Sequence, residues 1–415
     1  MSGYVMAAAG YWSSIAVLEG PRLLSGVAQG PGLEEHRVTW QAPPMVSAAG
    51  LVADLRKIRL LGRGGAHFPF ARKLATALDS GRKREVVVNA AESEPASAKD
   101  SALMTTAPHL VLDGADVVAR ALKARTVRVV VPADRPAVAE AVRKAVAERD
   151  AARSAVRHQV YVSDGGFVGG QRQAVMELIE GRENLPVTAW QPEAESGVFG
   201  RPTLLSNAET FAQVAALCAL GVGTYGRAGT PHEPGTMLLT VAGDGPGGVV
   251  LEVPIGEPLA VVLHRCGYDP DMPALIGGYH GTWLPAHEVA RRRLSDEDLG
   301  TVGGTLGCGA VLPLSPSACP VALTAQIVEY LAGSSARRCG PCTKGLPELA
   351  RALTALATGG GMAASARMAE VAGLVRDRGA CAHPDGTVRL VRSMLTAFPT
   401  EVAAHERGGC AHDTP

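Results

Sequence analysis

The amino-acid sequence predicts an α/β protein with a parallel sheet, followed by a small β-rich module and a helical C-terminal region. Three observations support this prediction. Short β-branched segments alternate with amphipathic segments up to about residue 230, two short alternating segments follow a Gly- and Pro-rich linker, and apolar residues recur at helical spacing beyond residue 320. Hydrophobic residues make up 47% and charged residues 19% of the chain, which excludes wholesale disorder.

The first region is taken as 47–230, after an irregular, Gly- and Pro-rich N-terminal segment at 1–46. Apolar spacing predicts helices at 48–61, 70–78, 110–122 and 137–147, and β-branched runs predict strands at 85–88, 127–131 and 158–162. Because ligands of parallel sheets bind outside the carboxyl ends of the strands, Asn89 and Asp164 mark candidate binding positions.

The remaining chain divides into a β-rich module at 236–310, helices at 318–405 and a flexible tail at 406–415. The module contains alternating segments at 237–241 and 248–253 and a short helix at 259–265. Four apolar stripes beyond residue 320 predict a four-helix bundle.

Charge and composition exclude several classes of function. Forty basic and forty acidic residues cancel, so no cationic surface favours nucleic acid. The sequence has no apolar run long enough for a membrane span and no secretory signal, so we expect a cytoplasmic protein without direct membrane insertion. Eight cysteines in 415 residues do not form a disulfide framework, and the close pair Cys339 and Cys342 indicates metal, cluster or redox chemistry.

Two motifs in the first region carry polar chemistry. Arg63 with Gly62, Gly64 and Gly65 could cradle a phosphate, although an ordinary glycine turn gives the same pattern. The segment 89–95 follows a strand and contains paired carboxylates, which suit recognition of a ring and a ribose but also occur in solvated turns.

These motifs resemble those of the NADH-binding flavoprotein subunit, the F subunit, of bacterial NADH-quinone oxidoreductase and respiratory complex I. The resemblance rests on five segments that occur in the same order and span about residues 45–405. They are 62–69 with Lys73, 89–95 with Lys99 and Asp100, 167–181, 200–210, and the Cys339/Cys342 region with Cys381.

The resemblance implies a Rossmann-like, FMN-binding parallel-sheet domain, a ubiquitin-like β-grasp domain and a four-helix bundle that holds a [4Fe–4S] cluster. It implies that a hydride passes from a nicotinamide to FMN and that electrons leave singly through the cluster. The matching cofactor-binding positions are Gly62, Arg63, Gly64, Gly65, Lys73, Asn89, Glu92, Gly170, Asn207 and Thr210. Glu92 and Glu94 are the expected catalytic residues, and Phe68, Glu94, Gln171 and Arg172 the expected nucleotide-binding residues.

The sequence departs from the family pattern around the dinucleotide site. Gln171 and Arg172 replace a pair of glutamates, and an arginine there favours phosphate, including the 2′-phosphate of NADPH. Ala91, His67 and Thr76 replace an aspartate, a glycine and a phenylalanine, and another family phenylalanine falls at Pro192, near Trp190. The donor is therefore NADH or NADPH, unless the pocket has decayed and another donor reduces FMN, or flavin binding is lost.

The cluster motif also departs from the family, because Ala336 stands at the first cysteine position and leaves Cys339, Cys342 and Cys381 as ligands. Three thiolates suffice for a [3Fe–4S] cluster, and a [4Fe–4S] cluster could take Ser335 or His383 as its fourth ligand. Zinc bound by three cysteines and a histidine, a disulfide, or no bound group are the alternatives.

The leading hypothesis is an oxidoreductase that passes electrons from NAD(P)H through FMN to a ferredoxin or a companion iron–sulfur subunit. A flavin-only diaphorase and a non-catalytic assembly subunit are the competing hypotheses. The other cysteines are expected to have no special role: Cys319 has no histidine at ligand spacing, and Cys410 lies in the flexible tail.

Overall fold

The computed structural model describes residues 15–80, 83–188, 191–243 and 247–412, so Trp190 lies outside the described residues. A four-stranded parallel sheet forms the centre of the first region, with strand order β4–β3–β2–β5. Its strands are β2 (Glu85–Asn89), β3 (Thr126–Pro132), β4 (Arg157–Ser163) and β5 (Thr203–Asn207). The predicted parallel sheet is confirmed, and a fourth strand, β5, joins the three that the sequence predicted.

Helices surround this sheet, and their bounds are α2 (Ala48–Lys57), α3 (Phe70–Asp79), α4 (Lys99–Thr106), α5 (Pro108–Leu122), α6 (Pro136–Ala151), α7 (Arg172–Ile179) and α8 (Ala208–Tyr225). Helices α5 and α8 touch so closely that a Cβ atom on Gly114 would lie 1.8 Å from the carbonyl oxygen of Phe211. The central strand β2 is buried through Val86, Val87 and Val88, as expected for a parallel sheet that is covered on both faces.

The second sheet has the order β1–β7–β6–β10–β8–β9. Its strands are β1 (Ile15–Val17), β6 (Thr236–Ala242), β7 (Gly248–Pro254), β8 (Ala274–Ile276), β9 (Thr282–Leu284) and β10 (Ala310–Pro313). The antiparallel hairpin β6–β7, the helix α9 (Leu259–Arg265) and the parallel pairing of β10 with β6 reproduce the ubiquitin-like β-grasp order. Two short helices, α10 (Ala286–Val289) and α11 (Asp296–Gly300), lie in the connection to β10.

The segment 1–46 was expected to be irregular, and its described part differs from that expectation. Strand β1 pairs in parallel with β7, and helix α1 (Leu33–Thr39) is held by Asp113 of α5, which accepts hydrogen bonds from His36 and Arg37. Both elements are stabilised by distant parts of the chain, which local sequence patterns do not record.

The C-terminal region contains five α-helices instead of the four that the apolar stripes predicted. They are α12 (Pro320–Gly333), α13 (Leu346–Ala357), α14 (Gly361–Val375), α15 (His383–Ala397) and α16 (Pro399–Glu406), with a π-helical turn at Pro341–Gly345 before α13. The fourth stripe is divided at Phe398, which has φ −128° and ψ 52°. Pro399 explains this break, because a proline disfavours helical geometry at the preceding residue.

The three parts share a packed interior. Phe167 and Val168, from the loop after β4, are buried in one core cluster with Leu275 of the β-grasp domain and Leu331 of α12. Trp283 of β9 donates from Nε1 to Thr324 Oγ1 of α12 at 3.0 Å. Across the described ranges, no helix has the length and the apolar surface that a membrane crossing demands.

Candidate functional site

The predicted cofactor residues converge at the carboxyl ends of β2 and β5. Asn89 and Asn207 are the last residues of these neighbouring strands and are partners in the parallel register. Asn89 donates from Nδ2 to the carbonyl oxygen of Gly170 at 2.8 Å, and Asn207 caps α8 by accepting from the backbone N–H of Glu209. This edge of the sheet is where parallel α/β proteins bind ligands.

The glycine-rich loop 62–65 lies directly over this edge. The loop is closed by a hydrogen bond from the N–H of Gly62 to the oxygen of Phe68, and the N–H of Arg63 donates to Thr210 Oγ1 at 2.9 Å. A Cβ atom on Gly64 would lie 3.3 Å from Cβ of Asn207, and Gly65 has φ +93°. The glycines therefore allow the backbone to approach the strand ends and leave room beside it.

A buried network of charges around Lys99 contacts the strand end that lies beside this loop. Lys99 Nζ lies 2.8 Å from Asp100, 3.0 Å from Glu209 and 3.1 Å from Asn207 Oδ1. Burial opposes protonation of Lys99, but the attraction of Asp100 and Glu209 outweighs it and raises the pKa of the ammonium group. Because the chain pairs these charges itself, the strand ends keep their positions without help from a ligand.

A second glycine-rich loop faces the first across Asn89. Gly165 and Gly166 have φ values of 87° and 75°, and a Cβ atom on Gly170 would lie 2.4 Å from Ser93 Oγ. The loop ends at Gln171, from which α7 begins, and Asn184 holds it by donating to the oxygen of Gly169 at 3.0 Å. Backbone N–H groups at such a loop and helix start are suited to phosphate or dinucleotide oxygens.

These features fit FMN. The side chain of Arg63 is 5% exposed, and its Nε has no hydrogen-bond partner; Glu209 Oε1 is 3.9 Å away. A buried guanidinium nitrogen without a partner is costly unless a ligand accepts its hydrogen bond. Arg63 and the N–H groups of the two loops would hold the anionic and polar parts of the flavin nucleotide.

The three proposed cluster ligands, Cys339, Cys342 and Cys381, lie in the segments that connect α12 to α15. The thiols of Cys339 and Cys381 both act electrostatically on the thiol of Cys342. Burial acts against ionisation of Cys339, but N–H groups of Ala380 and Cys342 lower its pKa, whereas burial raises the pKa of Cys342 to about 12.

The first cysteine position of the motif is filled differently. Ala336 packs against the helical core, and the adjacent Ser335 has a buried hydroxyl without a hydrogen-bond partner. The donor set of three thiols with this unpartnered hydroxyl fits an iron–sulfur cluster with three cysteine ligands. His383 is not available as the fourth ligand, because its Nε2 donates to the oxygen of Leu331 and its Nδ1 lies 3.1 Å from His280 Nε2.

Comparisons with known proteins agree with this geometry. The family model of the Nuo51 FMN-binding domain matches residues 55–216, and that of the NADH-ubiquinone oxidoreductase-F iron-sulfur binding region matches residues 322–405. The chain therefore carries both the FMN-binding domain and the iron–sulfur binding region of the NADH-quinone oxidoreductase F subunit family. All five segments on which the sequence resemblance depended lie within these matched residues.

Individual relatives cover most of the chain. The F subunit of NADH-quinone oxidoreductase from Mycobacterium tuberculosis is 29% identical over 383 residues, which is 88% of this chain and 86% of the relative. The Salmonella typhimurium protein of the same name is 28% identical and covers 85% of this chain and 84% of its own length. A chain of the NAD+-reducing [NiFe]-hydrogenase in the air-oxidised state superposes with a TM-score of 0.84 at 25% identity, over 94% of this chain and 68% of that chain.

His67 stands where the sequence resemblance leads us to expect a glycine. Its φ is +47°, a left-handed conformation that suits glycine better than a histidine. The ring contacts Asp296 through Nδ1 and the oxygen of Gly307 through Nε2. His67 thereby fastens the flavin loop to the β-grasp domain, which a glycine cannot do.

The expected catalytic residue Glu92 is fully engaged with protein atoms. Its oxygens accept hydrogen bonds from Ser97 Oγ, from the N–H groups of Asp100 and Ser101 at the start of α4, and from Arg135. Its side chain is 1% exposed. These contacts favour a role in positioning α4 and the flavin site rather than in proton transfer.

Glu94, the other expected catalytic residue, bridges the flavin domain and the β-grasp domain. Its carboxyl accepts from the N–H of Ala96 at 3.1 Å and of Tyr279 at 3.0 Å. Burial raises its pKa to about 7, although both N–H groups act in the opposite direction. Glu94 is therefore a group of this site whose charge depends on pH near neutrality, as is Asp100, whose pKa burial raises to about 6.

The expected nucleotide-binding residues lie around the entrance to the flavin loop. Phe68 is 42% exposed, with Arg72 5.7 Å and Lys73 5.9 Å from the centre of its ring. Arg172 is 63% exposed, and its Nε lies 3.7 Å from Glu193, which also binds Lys73 at 3.0 Å. Gln171 precedes Arg172 at the start of α7.

Sequence reasoning missed several members of the site. Three charged residues pair with predicted ones: Glu193 with Lys73, Glu209 with Lys99, and Arg135 with Glu92. Cys308 lies beside Glu94, because a Cβ atom on Gly278 would be 2.8 Å from Cys308 Sγ and 2.6 Å from Glu94 Oε2. Glu209 lies inside the 200–210 segment and could have been found from its place at the start of α8. The sequence shows no local signal for the others, because their partners are far away in the chain.

Proposed function

We propose that this protein oxidises a reduced nicotinamide dinucleotide at an FMN site and passes the electrons through an iron–sulfur cluster to a protein acceptor. FMN accepts a hydride and releases electrons one at a time, and an iron–sulfur cluster transfers single electrons. The observation that carries the proposal is the packing of Phe167 and Val168, in the loop beside Asn89 and Gly170, into the same core as Cys342. The loop at the flavin site and the proposed cluster site therefore share one rigid core.

Different residues would bind FMN and the nucleotide donor. Arg63 and the loop N–H groups would hold the flavin nucleotide, and Asn89 would help to orient its ring system. The exposed ring of Phe68 offers a surface for stacking, and Arg72 and Lys73 lie beside it for the phosphates of the donor. Glu94 is placed to hold polar groups of the nucleotide, in a charge state that depends on pH.

The preference between NADH and NADPH is assigned to Arg172. Its guanidinium is exposed beside Glu193, which satisfies part of its charge. The remaining positive field favours an additional phosphate, so we propose that NADPH is used at least as well as NADH.

The acceptor is proposed to be a companion iron–sulfur subunit or a ferredoxin. The named relatives are subunits of an NADH-quinone oxidoreductase, which supports a partner subunit. Exposed Arg337 and Lys344 flank the cysteine region and favour an acceptor with an acidic surface. A cytoplasmic location is part of this proposal, because unpaired cysteine ligands require a reducing compartment.

The test uses protein purified without oxygen. We expect flavin absorption with a broad iron–sulfur shoulder, bleaching on addition of NADH or NADPH, and an electron paramagnetic resonance signal from the reduced cluster. A colourless protein would contradict the proposal and favour a non-catalytic assembly role. Flavin without iron would favour the diaphorase, which the alanine at position 336 makes the second candidate.

A further inference from the structure

A second group of metal-ligating side chains lies at the other end of the C-terminal helices. Cys319, Glu401, His405 and Cys410 each offer one ligand atom, and these four atoms all lie within 4.8 Å of one another. None of the four belongs to the flavin site or to the Cys339, Cys342 and Cys381 set. Cys319 precedes α12, Glu401 and His405 are one turn apart on α16, and Cys410 follows that helix.

The distances between the ligand atoms match those of a tetrahedral zinc site. Cys319 Sγ lies 3.2 Å from His405 Nε2 and 3.7 Å from Glu401 Oε1, and Oε1 lies 3.3 Å from Cys410 Sγ and 3.3 Å from His405 Nε2. Zinc bonds of ~2.0–2.3 Å place the ligands of a tetrahedron about 3.3–3.8 Å apart. Two thiols, an imidazole and a carboxylate are also donors that zinc accepts.

The surroundings support the same conclusion. His405 is 2% and Glu401 8% exposed, so these two ligands are held inside the protein, whereas Cys319 and Cys410 are partly exposed. The other carboxylate oxygen of Glu401 lies 3.6 Å from His412 Nε2, an outer contact of the type that fixes the orientation of a metal ligand. The geometry points to a structural zinc site formed by Cys319, Glu401, His405 and Cys410.

Such a site would fasten the last described residues to the start of the helical region. Cys319 and His405 are 86 residues apart in sequence. A metal that joins such distant positions removes conformational freedom from the unfolded chain, and binding would release the protons of both thiols. The predicted flexible tail at 406–415 is anchored in its described part, because Cys410 and Ala411 both donate to Glu401.

The test measures metals in the full chain, purified without oxygen from zinc-supplemented cultures. We expect about one zinc per chain, and zinc-edge X-ray absorption with two sulfur ligands at ~2.3 Å and two nitrogen or oxygen ligands at ~2.0–2.1 Å. Cys410→Ser and His405→Gln should each lose most of the zinc and lower the melting temperature by about 4 °C, with flavin and iron unchanged.

Two variants serve as controls. Cys266→Ser changes a partly exposed cysteine in the β-grasp domain, and Cys342→Ser changes the proposed cluster site; both should keep the zinc. Zinc lost in Cys342→Ser but kept in Cys410→Ser would overturn the proposal, since it would place the metal at the cluster cysteines. Wild-type protein without zinc, or a disulfide between Cys319 and Cys410 in alkylated, unreduced protein, would overturn it as well.

Discussion

The flavin side and the cysteine side of this molecule differ in how the chain pairs their charged or ligating groups, although each side contains a buried polar atom without a partner, Arg63 Nε and Ser335 Oγ. At the flavin loop, Lys99 is paired with Asp100 and Glu209, and Asn207 caps a helix. In the cysteine region, burial and then the neighbouring thiols of Cys339 and Cys381 raise the pKa of the Cys342 thiol. The flavin side is therefore expected to fold around its own charges, whereas the cysteine side depends on the group that it binds.

The largest effect is expected from Cys342→Ser, which removes the most buried of the three thiols. Iron content and the paramagnetic signal of the dithionite-reduced protein should be lost completely, while flavin stays bound because its site is held independently. Cys266→Ser is the matched control and should keep both groups. A cluster that survives in Cys342→Ser would show that the ligands are assigned wrongly.

Lys99→Met tests the flavin side. The substitution leaves Asp100 and Glu209 buried without their cation, so the free energy of unfolding should fall by about 3–5 kcal/mol, measured by urea denaturation. Lys344→Met changes an exposed lysine and should cost less than about 0.5 kcal/mol. Equal losses of unfolding free energy in the two variants would refute the idea that the Lys99 network stabilises the flavin side.

Glu94→Gln tests whether the bridge between the flavin domain and the β-grasp domain is titratable. The pKa of Glu94 is about 7 in the folded protein and near 4.5 in the unfolded chain, so the folded state binds more protons between these values. Its ionisation therefore lowers stability as pH rises from 4.5 through 7. The free energy of unfolding of Glu94→Gln, minus that of wild type, should therefore be larger at pH 8 than at pH 5 by on the order of 2 kcal/mol. Thermal or urea unfolding at the two pH values measures this difference. A difference that is the same at both pH values would contradict the raised pKa.

The smallest expected effect is a change of nucleotide preference in Arg172→Glu. A second carboxylate beside Glu193 should repel the 2′-phosphate, raising the ratio of kcat/KM for NADH to that for NADPH by about 5-fold. Arg143→Glu, on the exposed face of α6, should leave the ratio unchanged. An unchanged ratio in Arg172→Glu would remove the assigned role of this residue.

Local patterns predicted most of the regular elements because they are strongly periodic. Helix α9 (Leu259–Arg265) was predicted with its observed bounds, and β2, β3 and β4 within a residue or so at each end. Helix α4 was missed: its alternation of polar and apolar residues is weak, and Glu92 stabilises its start from outside the helix.

Motif spacing found the centre of the flavin site but not the residues that hold it. Gly64, Asn89 and Asn207 were recognised from short segments, and the structure brings them together at one sheet edge. Glu193, which joins Lys73 and Arg172, carried no signal of its own. No histidine stands at ligand spacing from Cys319 in the sequence, yet the fold brings His405 Nε2 within 3.2 Å of its Sγ across 86 residues.

The sequence by itself determined the order of the three regions, the glycine loops and the two neighbouring thiols of the cysteine motif, since these depend on residues close together in the chain. Only the tertiary structure decided which charges are paired and which distant side chains lie together. It places both ring nitrogens of His383 against protein atoms, and it brings Cys319 next to His405 and Cys410. The reason is physical: hydrophobic periodicity and backbone freedom act over a few residues, whereas the pairing of buried polar groups depends on which distant segments the core brings into contact.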